Sequence, residues 1–342
     1  MQPFRVLADW DIPPEERDML AAWPAGIEII EGGSKLTTAA KLALAPTIDV
    51  QAGRMRTVTA PFVQAADRLR LVHMTGHGVD GLVRDCLPEL FGQRGIKVAT
   101  ADAAAIPIAE FAIMAMIALS RRVLRIQQSL VQRGEWETWR GPELYGATAC
   151  VVGLGPIGQL IAQRAAAFGM RVGAVTQRPD RHQSSAGDLA FLLPFEDIGK
   201  ALAAADYTVL AVPLTARTLN LIGPAEFAAL RPGSFLINVG RGPIIDEAAF
   251  IAALRDGTLG GAAIDCWWCE EEDTRRSGYP LSTAIHQYNV LMTPHYCGST
   301  VATRRRVLEL IGTNIARLRA GEPLINEIAP DELRDMAVLA CY

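Results

Sequence analysis

The sequence predicts an α/β protein made of two domains with parallel sheets, one inserted into the other. Three observations support this fold class. The chain has 342 residues, which suggests about two domains at roughly 150 residues each. Short apolar runs alternate with helical stretches along the chain, as in parallel sheets. The middle of the chain holds the clearest unit, where an apolar run leads directly into a glycine-rich turn and a helix.

Composition excludes several classes of partner. The 33 Lys and Arg residues are outnumbered by 37 Asp and Glu, a net charge of −4, so no basic excess is present to bind a phosphate backbone. Six cysteines are scattered among mostly apolar neighbours, which favours a reducing compartment over a disulfide framework. The N-terminus lacks a signal-peptide pattern, and the most apolar stretch, 106–120, contains Glu110 and is too short to span a bilayer. We expect a cytoplasmic protein that binds neither nucleic acid nor a membrane.

Before the glycine-rich turn, the chain alternates strands with helices and ends in one long helix. Apolar runs predict strands over 4–8 and 69–74, and helical patterns cover 14–23 and 60–67. A single helix is predicted over 107–133, because Pro107 suits a first turn and Gly134 an end. Residues 108–119 are apolar on nearly every face, so we expect this helix to be buried on all sides, between domains or subunits.

The middle of the chain has the pattern of a doubly wound parallel sheet. Buried strands are predicted over 148–152, 171–175, 207–212, 235–239, 261–265 and 290–293. A helix over 159–168 follows the first of them, and a last helix over 299–320 is long enough to return to the first domain. Such an order is typical of nucleotide-binding α/β domains.

The glycine-rich turn predicts a dinucleotide site. Gly153, Gly155 and Gly158 stand between a strand and a helix, where they allow a tight turn, a close approach of the backbone to a pyrophosphate, and close packing of helix on strand. The helix N-terminus, with Pro156 and Ile157, offers free N–H groups to the phosphates. An ordinary turn with incidental glycines is the alternative, but it does not account for this context.

The end of the second strand bears on the choice between NADP and NAD. Thr176 stands 18 positions after Gly158, where an acidic residue would bind the ribose hydroxyls of NAD. Gln177 and Arg178 follow, and Arg178 can pair with a 2′-phosphate. We therefore favour NADP. The alternative is that Arg178 is a solvated loop cation and that NAD binds.

Three polar residues follow predicted strands, at the sheet edge where α/β sites form. Arg241 comes after 235–239, Glu270 after 261–265, and His295 after 290–293. Together they supply an anchor for a carboxylate, a partner acid and a general acid or base.

With these segments in order, the chain resembles the D-2-hydroxyacid dehydrogenase family. The resemblance runs through 153–158, 231–242, 265–270 and 293–295, and four segments together are far more specific than one. It implies a Rossmann dinucleotide-binding domain over 104–292, inserted into a smaller flavodoxin-like substrate domain formed by 1–103 and 293–342. It also implies hydride transfer between a nicotinamide cofactor and a small 2-oxo or D-2-hydroxy acid.

The resemblance gives each candidate a role. His295 exchanges the proton, Glu270 holds its imidazole and raises its pKa, and Arg241 binds the substrate carboxylate. Each residue has an alternative without a catalytic role. His295 could be a buried histidine whose hydrogen bonds are all made, Glu270 could belong to a solvated acidic loop that continues through 271–273, and Arg241 could cap a helix. For cofactor contacts the resemblance adds Asp265, against the nicotinamide carboxamide, and a further set consisting of Val212, Pro213, Thr218, Val239 and Gly240.

Substrate contacts are also expected from the loop of Gly76, His77 and Gly78, which matches the family's carboxylate-binding loop. His77 has a solvent-facing loop histidine as its alternative. A zinc set of Cys266, Cys269, His295 and Cys297 is superficially possible, but we expect no metal, because His295 already has a role.

Two departures from the family pattern stand out. Pro156 occupies a glycine-loop position where the family usually has an arginine or a similar residue, and it removes one backbone donor near the phosphates. The interval from Glu270 to His295 is 25 positions, longer than is common in the family, and we interpret 271–279 as an inserted surface loop near the site.

The leading hypothesis is a reductase of the glyoxylate/hydroxypyruvate type. Glu270 argues against the related formate dehydrogenases, which carry glutamine there, and a lysine expected near His77 in phosphite dehydrogenases is missing. The alternatives are a dinucleotide-sensing, corepressor-like binding protein and a short-form phosphoglycerate dehydrogenase without a regulatory domain after residue 342. A homodimer through the 107–133 region is expected.

Overall fold

The computed structural model describes residues 3–79, 82, 87–268, 270, 285–329 and 332–333, which form two compact units. One unit consists of 1–104 and 299–342, and the other of 105–298. Segment 293–298, expected in the first unit, therefore belongs to the second. None of the helices described is both long and apolar enough to cross a membrane.

The eight predicted apolar runs form strands, and the structure adds five more, over Ile27–Glu31, Val50–Gly53, Lys97–Ala99, Leu192–Leu193 and Glu327–Ile328. In chain order the strands are β1 Phe4–Ala8, β2 Ile27–Glu31, β3 Val50–Gly53, β4 Leu71–Met74, β5 Lys97–Ala99, β6 Thr148–Val152, β7 Arg171–Val175, β8 Leu192–Leu193, β9 Tyr207–Leu210, β10 Ser234–Asn238, β11 Leu259–Ile264, β12 Val290–Met292 and β13 Glu327–Ile328.

The helices begin and end close to the Pro, Gly and capping positions of the sequence. They are α1 Pro14–Ala21, α2 Thr38–Leu44, α3 Ala60–Ala65, α4 Leu87–Arg94, α5 Ala105–Ser120, α6 Val123–Gln128, α7 Pro156–Ala167, α8 Ile198–Ala204, α9 Pro224–Ala229, α10 Glu247–Asp256 and α11 Val301–Ala320.

Each unit is a doubly wound parallel sheet, as predicted. In the first unit the strand order is β13-β5-β4-β3-β1-β2, with only β13 antiparallel; without it, this is the flavodoxin-like order. In the second unit the order is β12-β11-β10-β9-β6-β7-β8, all parallel. This is the Rossmann order, whose switch point lies between β6 and β9.

The single helix predicted over 107–133 is wrong. α5 ends at Ser120, Arg122 takes a left-handed backbone conformation with φ 49°, and a separate α6 is followed by a π-helical turn over Ser129–Arg133. The cause is distant in sequence. Trp139 Nε1 donates to the Ser120 carbonyl at 2.9 Å, and the Arg122 guanidinium stacks 3.7 Å from the Trp139 ring. Both contacts favour a break at Arg122 over a continuous helix.

Within the single chain, this region is not buried on all sides. One stripe of α5 is exposed, consisting of Ile106, Glu110, Met114 and Ile117. The rest of α5 is buried and packs on α7, β10 and β11 within the second unit. α5 therefore has one exposed face and is otherwise buried, although its residues are nearly all apolar.

Candidate active site

The glycine-rich turn between β6 and α7 has the geometry of a phosphate cradle. Gly153 has φ +100°, and a Cβ there would lie 2.6 Å from the Ala211 carbonyl oxygen. A Cβ on Gly158 would lie 1.8 Å from the Gly153 carbonyl oxygen. These two glycines are required by the protein's own packing.

Gly155 differs from them, because a Cβ there would meet nothing within 4 Å. Gly155 is exposed and is the N-cap of α7, with Pro156 and Ile157 in the first turn. The N–H groups of this turn have no partner within the helix, and Pro156 stands at a position whose N–H would not enter the helical ladder. The open space at Gly155, beside free donors, fits a dinucleotide pyrophosphate.

The end of β7 places two of the three predicted selectivity residues, Gln177 and Arg178, at the surface. Thr176 is buried, and its backbone N–H donates to the Leu193 carbonyl at 2.9 Å. Gln177 and Arg178 are exposed, and the Arg178 guanidinium makes no ion pair within the described part of the chain. The Arg178 guanidinium is thus free of ion pairs at this strand end. The first position after the strand is occupied by Thr176 and not by an acidic residue.

The turn after β9 is held by its own polar groups. The Thr218 hydroxyl donates to the Pro213 carbonyl at 2.6 Å and accepts from the Thr215 N–H at 2.8 Å. Val212 is buried, and a Cβ on Gly153 would lie 2.8 Å from its Cγ1. Thr218 therefore shapes the loop, while Pro213 is exposed at its start.

Arg241 lies directly after β10 in a turn that Asn238 holds. The Asn238 side chain accepts from the Gly240 N–H at 3.0 Å and donates to the Arg241 carbonyl at 2.9 Å. Arg241 Nη1 donates to the Gly240 carbonyl at 2.8 Å, and Val239 and Gly240 are buried. Asn238 lies within segment 231–242, which carries part of the family resemblance. No feature of the sequence predicted that its side chain holds this turn.

Glu270 and His295 are paired, as expected from their positions. His295 Nδ1 donates to Glu270 Oε2 at 2.7 Å, and Glu270 Oε1 accepts from the Trp267 backbone N–H at 2.9 Å. The carboxylate assigns the Nδ1 proton, so Nε2 is the nitrogen left for chemistry. The imidazole side chain is 41% exposed, which leaves it accessible to a small ligand.

The pKa values of the pair move apart. Hydrogen bonds that the imidazole donates to the Cys266 sulfur and to the Glu270 carboxylate raise the pKa of His295 to about 10, against the opposing effect of burial. Burial opposes ionisation of Glu270, but the hydrogen bond and charge of His295, the Trp267 N–H and the charge of Arg241 hold its pKa below the usual value. The pair is an imidazolium and a carboxylate at neutral pH.

Asp265 holds the loop that carries His295. It is fully buried and accepts from Thr293 Oγ1 at 2.6 Å, from the Tyr296 N–H at 3.0 Å and from the Cys297 N–H at 3.2 Å. Between these anchors, His295 takes a left-handed backbone conformation with φ 53°. The family resemblance implies a cofactor contact for Asp265; its side-chain contacts in the chain are with this loop, and Thr293 had no predicted role.

The remaining predicted residues are distributed as follows. Gly76, His77 and Gly78 follow β4 in the first unit, with Gly76 exposed and His77 and Gly78 half-buried. Two tryptophans that are not among the predicted residues precede Glu270 in the chain: Trp267 is buried and Trp268 half-buried, and their indole N–H groups donate to the carbonyls of Thr293 and Ile245. Cys269 and the expected inserted loop over 271–279 lie outside the described residues.

Comparison with known proteins adds a family to this geometry. Residues 113–297 match the family description "D-isomer specific 2-hydroxyacid dehydrogenase, NAD binding domain". A D-3-phosphoglycerate dehydrogenase of Methanocaldococcus jannaschii is 33% identical over 86% of this chain, but the match spans only 54% of that protein. A glyoxylate reductase of Thermococcus gammatolerans is 32% identical over 75% of each chain.

One solved structure has a similar fold over nearly the whole chain. It is an NADPH-dependent glyoxylate/hydroxypyruvate reductase of Sinorhizobium meliloti in complex with NADP and malonate, 28% identical, with a TM-score of 0.74. The alignment covers 96% of this chain and 98% of that one.

Proposed function

The chain belongs to the D-isomer-specific 2-hydroxyacid dehydrogenase family, and from that premise we propose that it reduces a small 2-oxo acid of the glyoxylate or hydroxypyruvate type. The observation that carries the proposal is the Glu270–His295 pair at 2.7 Å, with Arg241 contributing to its electrostatics. A proton donor with a raised pKa and a cation for a carboxylate are the groups this reduction requires.

The reaction follows from these side chains. A reduced nicotinamide cofactor held at the glycine-rich turn between β6 and α7 would supply the hydride for the carbonyl carbon. His295 donates the Nε2 proton to the carbonyl oxygen as the alkoxide forms, and Glu270 stabilises the imidazolium until then. Arg241 holds the substrate carboxylate through a bidentate contact and polarises the carbonyl. In the oxidation direction, His295 takes the hydroxyl proton back.

A panel of 2-oxo acids tests the activity. Glyoxylate, hydroxypyruvate and 3-phosphohydroxypyruvate would each be assayed with NADPH and with NADH, and absorbance at the nicotinamide band would report turnover. We expect the two smaller acids to react fastest. Tight NADPH binding without turnover of any acid would favour a dinucleotide-sensing binding protein instead, and a preference for the phosphorylated acid would favour a phosphoglycerate dehydrogenase.

For the cofactor, we propose NADP over NAD. Support comes from the exposed Arg178 and from Thr176 at the position of the NAD-selective acid. The experiment compares kcat/KM for NADPH and NADH in the parent and in Arg178→Gln. We expect NADPH to be preferred and the preference to fall about tenfold in the variant, as for loss of one charged hydrogen bond. A preference of the parent for NADH would refute the proposal.

For substrate binding in the first unit, we propose a role for the loop of Gly76, His77 and Gly78. Exposure of Gly76, whose Cβ would meet nothing within 4 Å, supports close approach of a ligand to this backbone. If His77 faces substrate, His77→Ala raises KM for the 2-oxo acid and leaves KM for NADPH unchanged. Equal effects on both constants would contradict that role.

For assembly and location, we propose a cytoplasmic homodimer. The segment 123–136 exposes a set of large apolar side chains: Val123, Leu124, Leu130, Val131 and Trp136, the last two 75% and 86% exposed. Several large exposed apolar side chains in one short segment are typical of an interface. Light scattering at micromolar concentration would give twice the chain mass, and Val131→Glu would lower it to one chain; a monomeric parent would contradict the dimer. The described cysteines are free thiols, as in a reducing compartment.

A further inference from the structure

Three groups with different metal-binding chemistry meet beside the catalytic pair. The Cys266 thiol, a Glu270 carboxylate oxygen and a His295 ring nitrogen all lie within 4.8 Å of one another. Cys266 is 1% exposed, whereas the Glu270 and His295 side chains are 28% and 41% exposed. The thiol is therefore the floor of the cluster, and the other two side chains face solvent.

This cluster is not the zinc set considered from the sequence. That set combined four residues by spacing and left out Glu270. The structure instead brings a carboxylate into contact with the histidine, and Cys266 lies immediately after Asp265 at the end of β11. Thiolate, imidazole and carboxylate are the three ligand types that Zn²⁺ accepts in proteins.

The dimensions suit one ion after small side-chain movements. Bonds of about 2.0 to 2.3 Å place tetrahedral ligand atoms roughly 3.3 to 3.8 Å apart, and the present separations are all below 4.8 Å. The contact between His295 Nδ1 and Glu270 Oε2, now 2.7 Å, would have to open, because the ion would lie where the shared proton is. Water can fill the fourth position.

We propose that Cys266, Glu270 and His295 form an inhibitory site for a thiophilic divalent cation, with Zn²⁺ as the expected ion. On binding, the Cys266 S–H bond and the His295 Nδ1–H bond break, two protons pass to solvent, and metal–sulfur and metal–nitrogen bonds form without a change of oxidation state. The ring then keeps only its Nε2 proton as a neutral, metal-bound imidazole, which is a poor acid.

Orientation of the ligands favours this site. Glu270 Oε1 is held by the Trp267 backbone N–H at 2.9 Å while Oε2 lies against His295, and hydrogen bonds of this kind position metal ligands. The inhibitory effect rests on the proposed function, since it requires His295 to be the proton donor. Binding of the ion does not.

Cobalt is the probe that tests binding. Co²⁺ would be titrated into the protein without cofactor, under argon, and followed by absorbance. A cysteine-bound tetrahedral ion gives an intense near-ultraviolet sulfur-to-cobalt band and strong visible bands. We expect both in the parent and in Cys150→Ala, which removes a buried thiol from β6. We expect neither in Cys266→Ala, and apparent affinity should fall more than about 100-fold on loss of this ligand.

Zinc inhibition is the second measurement. Each variant is compared with its own activity in the presence of a chelator, and Glu270→Gln serves if Cys266→Ala folds poorly. Inhibition by micromolar Zn²⁺ should be reversed by the chelator and weakened at least tenfold in both variants. A weak, six-coordinate cobalt spectrum in the parent, or spectra and inhibition unchanged in Cys266→Ala, would overturn the proposal. If no 2-oxo acid is turned over, the proposed function fails and the cobalt spectrum alone decides the site.

Discussion

His73 lies in β4 of the first unit and His295 follows β12 in the second, and their surroundings move the two pKa values in opposite directions. Burial lowers the pKa of His73 to about 4. The Cys266 thiol and the Glu270 carboxylate raise that of His295 to about 10. One ring is neutral and the other charged at the same neutral pH.

The neutral state of His73 is set by partners that carry no charge. Its Nδ1 lies 3.0 Å from the Met74 carbonyl, which can only accept, so Nδ1 carries the proton. Its Nε2 accepts from Asn314 Nδ2 at 3.0 Å, and the Asn314 side chain also bonds both backbone groups of Ile325. A second proton on the His73 ring, at Nε2, would point at the Asn314 N–H donor, so the protonated ring is disfavoured.

His295 shows what exposure and a carboxylate do to the same group. Its protonated form gains a charge partner in Glu270, and its partial exposure avoids much of the desolvation that His73 suffers. The difference teaches that a histidine's role follows from its partners. A buried ring with neutral partners is structural, whereas a half-exposed ring on a carboxylate can hold and release a proton.

Replacing each histidine with a residue that does not titrate should have the largest effect. We expect the change at His295 to affect catalysis and the change at His73 to affect stability. His295→Ala removes the proton donor, and we expect turnover to fall about 100- to 10,000-fold with NADPH binding retained. His73→Gln should keep turnover per folded molecule. Steady-state kinetics and a cofactor titration on both variants check this. Near-normal turnover in His295→Ala would remove it from the mechanism, and Arg241→Ala serves as a parallel variant with the same expected loss.

Replacing the carboxylate partner should move His295 toward the ordinary pKa of a histidine. Reduction needs a protonated ring, so activity is lost as pH rises through the pKa of His295, about 10 in the parent. In Glu270→Gln that pKa falls, and the alkaline loss begins at lower pH. Because the Cys266 contact remains, the shift is partial. We expect turnover near pH 7 to fall about 100-fold, the upper end for loss of a supporting partner.

The pH–rate profile of reduction is the measurement, and Glu271→Gln is the matched control. Glu271 is the next acid in the chain and has no role in the proposed mechanism. An unchanged alkaline limb in Glu270→Gln would show that the pair does not set the proton donor's pKa.

Because His73 is buried in its neutral form, lowering the pH should reduce the free energy of unfolding. Its folded pKa, about 4, lies below the ordinary 6.5, so the unfolded chain binds more protons between these values. The contribution of the neutral ring is therefore complete above about pH 6.5 and lost as pH falls toward 4. The full shift corresponds to about 3 kcal/mol of unfolding free energy.

Urea unfolding at pH 7, 6 and 5 measures this dependence in the parent and in His73→Gln. The variant is less stable at pH 7, because the ring fits its partners, but its stability should change less with pH. Parallel curves for the two proteins would contradict a neutral buried ring. Other acids titrate in both, so the difference between the proteins isolates His73.

Local chemistry was predictable from the sequence, and contacts between distant segments were not. The Gly153 turn followed from its neighbours, because a tight turn between strand and helix has few solutions. Glu270 was found by its spacing from Asp265 and by the resemblance. By contrast, the break at Arg122 depends on the ring of Trp139, and neither the helical period nor the apolar pattern records such a contact.

The loop that carries His295 offers the smallest test of the comparison, because the variant removes only one of the hydrogen bonds that hold it. Thr293 Oγ1 donates to buried Asp265 at 2.6 Å, and Asp265 also accepts from the Tyr296 and Cys297 N–H groups. Thr293→Val keeps the shape and removes the hydroxyl. Because two donors remain, we expect a loss of about 1.5 kcal/mol, the low end for a bond to a charged group. Turnover should fall several-fold, since the left-handed conformation of His295 is less firmly held. Thr293→Ser, which keeps the hydroxyl, should recover most turnover; equal losses in both variants would assign the effect to packing and leave Asp265 without this positioning role.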